Sequence, residues 1–340
     1  MLNNSTFPIH VSAVPWGDSD LSKMIWNWST IVKLCIFMLT ILLNGIVLFA
    51  YVVNRELRTP FTVYVMNLLT INILFAGLDM PFATIFTALP SWFPGWRVCA
   101  VYQYMLYPLA ACQLWSQTLV TINRIWAAFH PFSYRSVHSF RIALTTCATV
   151  WLITHIVGLP YVVLDVVWHR TPAPYHCALN EAAQPVTARA FELVMIDLTV
   201  VIIWAAYPLL FWKLWQRLRK KAKIAIPSTR MVNVTVRTDG SDPNNFGDGV
   251  YAQRRMSRRK ETSKSISMLS MLTVSTSVCY TPFHAFFFAL AWTAIQPSFL
   301  WFNVASMLYI IQPLLDPVFF IIGLDNLRVS LTQMFVRRRK

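Results

Sequence analysis

Charge is what this chain has least of. Asp, Glu, Lys and Arg make up 13% of 340 residues, 56% are hydrophobic, and the mean hydropathy is +0.50. That balance leaves too little polar surface for a water-soluble globule. Acids are the scarcer sign, 14 against 29 Lys and Arg. The first thirty residues lack the apolar core of a cleavable signal peptide, so the first hydrophobic span is expected to direct insertion. No repeat relates the two halves, which weakens an inverted-repeat transporter. The apolar runs hold no paired acids, His-rich metal motif or Ser–His arrangement, which argues against an enzyme and predicts no catalytic residue, metal or cofactor. No cysteine follows Cys279, which excludes palmitoylation of the tail.

What the chain has is apolar length. A bilayer core of about 30 Å takes about 20 helical residues to cross. Seven runs are long enough: Leu34 to Val53, Phe61 to Leu89, Val98 to Ile122, Ile142 to Trp168, Leu193 to Trp212, Ile266 to Ile295 and Ser298 to Ile322. They predict an all-α bundle of seven transmembrane helices. With the N-terminus outside, 24 of the 29 Lys and Arg fall on the inner side, fourteen of them between Lys213 and Lys264. Positive charge is retained in cytoplasmic loops, so this orientation follows. The net charge of +15 then reads as topology and attraction to anionic membrane lipids, not as nucleic-acid binding.

The chain divides into an extracellular segment, 1–30, a transmembrane domain, 31–322, and a tail, 323–340. The cytoplasmic stretch 213–264 within the domain has basic, helix-compatible ends and a turn-rich middle, TDGSDPNNFGDG, expected to be disordered. In the tail, Leu324, Leu327, Leu331 and Met334 recur at helical spacing, which predicts a short amphipathic helix on the inner leaflet. Asn3, Asn4 and Asn27 sit in outward N-x-[ST] acceptors for glycosylation, and Ser257 follows Arg254-Arg255-Met256, a basophilic kinase pattern. Cys99 and Cys177 are the two cysteines in outward segments, which predicts a disulfide between them.

Within TLVTINRIWAAFHPF (118–132), Arg124 ends a stretch without charge from Val98 onward. It is either a cation at the membrane edge or a working part. Its company bears on the choice: N-G-I-V at Asn44 to Val47, L-R-T-P at Leu57 to Pro60, Cys99 after W-F-P-G-W, Asn123-Arg124-Ile125 followed by Pro131, Trp151, Tyr207-Pro208, Cys279-Tyr280-Thr281-Pro282 and Asp316-Pro317-Val318-Phe319-Phe320. In this order and at these depths, the chain resembles the rhodopsin-like family of G protein-coupled receptors, as a divergent member, from Asn44 to about Arg328.

The resemblance implies a cell-surface receptor in the plasma membrane that turns binding of an outer ligand into activation of a heterotrimeric G protein, with arrestin and a kinase as further partners. It assigns the coupling and switch region to Asn123, Arg124, Tyr280, Pro282, Asp316, Pro317 and Phe320, and a buried polar network to Asn44, Asn72 and Asp316. Proline at 208, 282 and 317 removes helical hydrogen bonds and permits kinks independently of any family. Departures touch mechanism. Asn72 stands where the family usually has aspartate and Asp316 where asparagine is commoner, which puts the family's sodium site in doubt. Asn123 replaces the acid beside the arginine, so elevated basal activity is expected. Ile125, Gln216 and Phe320 replace tyrosines, which keeps a non-signalling or scavenging receptor in view; a channel or transporter is a remote alternative.

Leu106 occupies the position of the amine receptors' aspartate, and the seventh span has no lysine for a retinal Schiff base. The expected ligand pocket comprises Gln103, Leu106, Tyr107, Asp197, Tyr280, Phe283, His284 and Tyr309, with Asp79, Asp165 and Glu192 joining Asp197 at an acidic rim. That mixture favours a basic or amphipathic peptide. The rim acids equally suit pairing with Arg170 and Arg189, and His284 reads either as a ligand contact or as a histidine bonded to a neighbouring helix.

Overall fold

The computed structural model describes residues 28–88, 96–169, 179–180, 183–224, 271–289, 292 and 298–337. They form helices α1 (Trp28–Val53), α2 (Pro60–Ala88), α3 (Trp96–Phe129), α4 (Pro131–Val137), α5 (Phe140–Leu164), α6 (Pro185–Phe191), α7 (Leu198–Ile224), α8 (271–289), α9 (Phe299–Gly323) and α10 (Asp325–Arg337). A π-helical turn, Asp165–His169, extends α5, and another, Glu192–Asp197, makes α6 and α7 one continuous rod. The fifth span therefore begins eight residues before the apolar run at Leu193, because α6 starts at Pro185 and runs on without a break into the π-helical turn.

Helix boundaries follow local chemistry. Arg58 Nε donates to the Tyr51 carbonyl at 3.0 Å and its Nη2 to the Val52 carbonyl, closing the end of α1 with a cation at its negative pole. Thr59 and Thr62 exchange side-chain and backbone hydrogen bonds at 2.7 and 3.3 Å, and Pro60 takes the first helical position of α2. The L-R-T-P motif is thus a stop and a start. Ser139 and Ser298 cap α5 and α9 by accepting from Ile142 N and Trp301 N.

Five helical segments among the described residues are long and apolar enough to cross a bilayer: Thr30–Val53, Pro60–Phe82, Phe140–His169, Pro185–Lys213 and Leu300–Gly323. Leu42, Phe49, Leu152, Val201 and Leu300 stand out on their flanks, as lipid-facing residues do. The third expected span lies in α3, whose inward face carries Gln103, Gln113, Ser116, Gln117, Thr118, Thr121 and Asn123, all buried. Its polarity is spent inside the bundle, where α2 and α5 pack against it. The sixth expected span is described over 271–289, rich in Ser and Thr. Gly158 lets α5 approach α3, since a Cβ there would lie 2.9 Å from Pro108 Cγ.

The tail helix differs from the expectation in what it covers. Leu327 and Leu331 of α10 are buried in the main core with Met334 packed beside them, and Asn54 Nδ2 at the end of α1 donates to Ser330 Oγ at 2.9 Å. Its apolar face meets protein, and Val329 and Val336 are what it leaves exposed. The segments 1–27 and 225–270, with Asn3, Asn4, Asn27 and Ser257, lie outside the described residues.

Candidate functional site

Asp316, fully buried in α9, is the centre of a polar network that crosses the bundle. Three amides donate to it: Asn72 Nδ2 at 2.9 Å and Gln117 Nε2 at 2.6 Å to Oδ2, and Gln312 Nε2 at 2.8 Å to Oδ1. Asn72 also donates to Asn44 Oδ1 at 3.2 Å and accepts from Gln113 Nε2 at 2.9 Å. Gln312 reaches α8, accepting from Ser275 Oγ at 2.7 Å. Buried polar groups need such partners, and in a low dielectric each bond is strengthened by its neighbours. The expected trio Asn44, Asn72 and Asp316 is therefore together. Gln113, Gln117 and Gln312 complete it; the signal for the first two was a pair of glutamines four apart on one face of a transmembrane run.

Asn44 has a second task. Pro317 has no N–H to offer the Pro313 carbonyl one turn back, and Asn44 Nδ2 donates to that carbonyl at 2.9 Å. A side chain of α1 thus supplies the hydrogen bond that a proline removes from α9. Elsewhere the bundle is tied by Trp151, whose Nε1 donates to Asn67 Oδ1 at 2.8 Å while Asn67 Nδ2 donates to Ser116 Oγ at 2.8 Å.

At the α10 end of the bundle, Arg124 borders a cavity of about 290 Å³ together with Tyr51, Thr59, Phe61, Thr62 and the 323–327 junction of α9 and α10. Its guanidinium carbon lies 3.3 Å from the centre of the Phe61 ring. A cation over a ring contributes about 0.5–2 kcal/mol. Asn123 turns to the short helix α4: Tyr134 OH donates to its Oδ1 at 3.1 Å, and its Nδ2 lies 3.1 Å from His138 Nε2. An amide NH2 only donates, so this ring nitrogen accepts and the imidazole is neutral. Burial lowers the His138 pKa, which favours that state. Burial also raises the Tyr134 pKa, with the Arg124 charge opposing. Tyr134 and Tyr64 stack on the imidazole at 4.4 and 5.8 Å, and Trp126 meets it edge-on at 5.9 Å. None of Phe61, Tyr64, Tyr134 or His138 stood out in the sequence, because aromatic residues at membrane edges are ordinary.

At the opposite end the expected ligand pocket separates into two clusters. Tyr280, Phe283 and His284 of α8 surround Tyr309 of α9, with ring centres 5.1, 4.5 and 6.0 Å away, and Phe75 closes the group at 5.8 Å. Tyr107 instead packs with Tyr161 and Phe191 of α5 and α6, at 5.3 and 5.8 Å. Gln103 is buried and Leu106 half-buried on α3. Tyr309 OH reaches Gln113 Oε1 at 3.5 Å, which links the aromatic cluster to the Asp316 network.

The acids sort by partner. Asp165 is not a rim acid: it is fully buried and accepts from Asn180 N at 2.7 Å, fastening the chain beyond α5. Asp79 is buried against Tyr102, and Asp197 is half-buried with Oδ2 making no hydrogen bond. Cys99 is buried and disulfide-bonded; Cys35, Cys112, Cys147 and Cys279 are free thiols, and Cys177 lies outside the described residues. Phe320 is fully buried in the core and Pro282 lies inside α8, where Trp301 Nε1 donates to its carbonyl at 3.0 Å. Among the described residues no group of His, Cys, Asp or Glu has a metal-binding arrangement.

Residues 43–320 match the family described as 7 transmembrane receptor (rhodopsin family). The chain is 20% identical to the pyroglutamylated RF-amide peptide receptor of Rattus norvegicus over 263 residues, 73% of this chain and 54% of that protein. It is 25% identical to the 5-hydroxytryptamine receptor 1E of Cavia porcellus over 170 residues, 48% and 46% of the two chains. It is 28% identical to the alpha-2B adrenergic receptor of Mus musculus over 152 residues, 44% and 33%. The match spans about half the length of these curated relatives or less.

Proposed function

We propose, since the chain belongs to the rhodopsin family of seven-transmembrane receptors, that it is a plasma-membrane receptor which passes binding of an extracellular ligand to a heterotrimeric G protein. The observation that carries this reading is the continuous polar path from Tyr309 through Gln113 and Asn72 to Asp316, between an aromatic cluster at one end and the Arg124 cavity at the other. The path touches α1, α2, α3, α8 and α9, and prolines lie within four of these, Pro81 in α2, Pro108 in α3, Pro282 in α8, and Pro313 and Pro317 in α9. Such helices have more than one packing, and a ligand that prefers one of them shifts the population.

In this reading the N-terminus is extracellular and glycosylated at Asn3, Asn4 or Asn27, and Cys99 pairs with Cys177. Arg124, Asn123 and α4 face the G protein together with the basic end of α7 and the basic stretch that precedes α8 in the sequence, and Ser257 offers a kinase its substrate before arrestin binds. A peptide is favoured as ligand over an amine because Leu106 replaces the acid that holds amines on the third helix. The relatives include both peptide and amine receptors.

The test is G protein activation in cells with surface-verified receptor, wild type beside Arg124→Ala, first without ligand and then with peptide-rich tissue extracts. Wild-type activity lost in Arg124→Ala supports the reading. Silence of both across all G protein classes replaces it with the scavenging receptor, for which the missing tyrosines at Ile125, Gln216 and Phe320 argue.

A further inference from the structure

Asp79 is an acid without a cation. It is 5% exposed on α2, Tyr102 OH bonds its carboxylate, and its Oδ1 has no hydrogen-bond partner. Among the described residues no Lys, Arg or His forms an ion pair with it. The other fully buried carboxylates are satisfied, Asp316 by three amides and Asp165 by Asn180 N. A buried carboxylate oxygen left bare costs more than a neutral group, and such exceptions in a native fold call for a partner that completes them.

Two further bare atoms lie around the same ring. His284 Nε2 has no partner, and the Tyr280 hydroxyl faces Gln117 without closing a hydrogen bond. Both residues contact Tyr309, which is also within electrostatic reach of Asp79. His284 and Tyr280 are 6% and 2% exposed, so water reaches neither freely. The rings packed against these residues are aromatic: Phe75 and Phe283 on Tyr309, and Phe82 on Tyr102 with ring centres 5.1 Å apart. Three buried polar atoms without partners thus belong to residues of α2 and α8 grouped about Tyr309, and one of them is a carboxylate oxygen.

The geometry points to Asp79 as the recognition residue for a cationic group, an ammonium or guanidinium carried next to an aromatic ring, in the ligand of this receptor. The charge pairs with Asp79 Oδ1, the aromatic part lies against Phe75, Phe283 and Tyr309, and His284 and Tyr280 bond the ligand's remaining polar atoms. Ion pairing in a desolvated pocket is stronger than in water, and aromatic faces attract a cation as well. The site puts the anchoring acid on the second helix, whereas Leu106 leaves the third helix without one. The inference rests on the receptor reading above, and it narrows the ligand to a basic one that carries an aromatic group.

The test measures binding without a G protein, so its failure and failure of the signalling reading are separate. Purified receptor in nanodiscs is titrated, by thermal shift and by competition, with phenethylamine, phenylguanidine and a dipeptide amide of arginine and phenylalanine. Phenethyl alcohol and the citrulline analogue of the dipeptide serve as neutral partners. The cationic probes are expected to bind at least about tenfold more tightly than their neutral partners. Asp79→Asn, nearly isosteric, abolishes that preference while its unfolding midpoint without probe stays close to wild type; Asp79→Glu retains it. Preference for the dipeptide over phenethylamine identifies a basic peptide side chain as the source, and the reverse a free amine. Equal binding of cationic and neutral probes, unchanged preference in Asp79→Asn, or no binding at millimolar concentration overturns the assignment.

Discussion

Exchanging Asn72 and Asp316 tests whether the central network works as one unit. In Asn72→Asp a carboxylate faces Asp316 Oδ2 at 2.9 Å and Asn44 Oδ1 at 3.2 Å, where an amide had donated to both. Each unsatisfied buried group costs about 1–3 kcal/mol, so the two losses come to about 2–6 kcal/mol. In Asp316→Asn one acceptor oxygen becomes a donor facing another donor, at a cost of about 1–3 kcal/mol. The double exchange is different. A new amide NH2 at position 316 donates to the new carboxylate at position 72, and Gln117 turns its amide, whose Oε1 has no present partner, to accept from the same group. The conflict at Asn44 remains, because its Nδ2 is committed to the Thr40 and Pro313 carbonyls. The double variant is therefore expected to lose about 1–3 kcal/mol, less than the sum of the singles. At about 2 °C per kcal/mol for a chain of this size, thermal unfolding in nanodiscs should fall by about 4–12 °C, 2–6 °C and 2–6 °C for the three variants in that order. A double variant that falls by the sum of the two singles refutes the network.

Three more outcomes follow from the geometry. Asn123→Asp is expected to lower nucleotide exchange by a G protein in the absence of ligand, because a negative charge then stands beside Arg124; unchanged basal exchange at equal expression contradicts this. His138 is held neutral with a pKa below the ordinary 6.5, so stability from its bond to Asn123 is complete above that value and is lost as pH falls below it. Hydrogen exchange of the α4 amides should accordingly rise between neutral pH and mildly acidic pH in wild type and stay flat in His138→Phe. Gly158→Val drives a side chain into Pro108, where even a Cβ comes within 2.9 Å, and is expected to cost about 1–3 kcal/mol in thermal unfolding, with partial rescue by Pro108→Ala.

Much of the fold was legible because lipid imposes simple arithmetic: apolar length marks the spans. The polar trio Asn44, Asn72 and Asp316 was legible because polarity in apolar runs is costly and conspicuous. What escaped was the use of each group. Asp165 read as a rim acid, yet its carboxylate is taken by a backbone N–H fifteen residues on, which no spacing announces. Leu327 and Leu331 read as lipid-facing, because amphipathic spacing reports a buried face without saying what buries it. Tyr107 and Tyr309 read as one pocket, but which cluster an aromatic ring joins depends on helix rotation, and the sequence carries that only to within a fraction of a turn.

The polarity of α3 also bears on how the chain is made. Of the described helices it holds the most buried amide and hydroxyl groups, and it is not among the five apolar enough to enter a bilayer alone. Alone in hydrocarbon, each of its glutamines would lack a partner. Its bonding partners on α2 emerge from the ribosome earlier, whereas those on α4, α5 and α9 emerge later. The third helix is therefore expected to stay at the membrane's edge, against the insertion machinery or its predecessors, until its successors arrive to close around it. Biogenesis of this protein is a matter of timing at one helix, and variants that disturb Gln113 or Gln117 should show themselves first as chains arrested before reaching the cell surface.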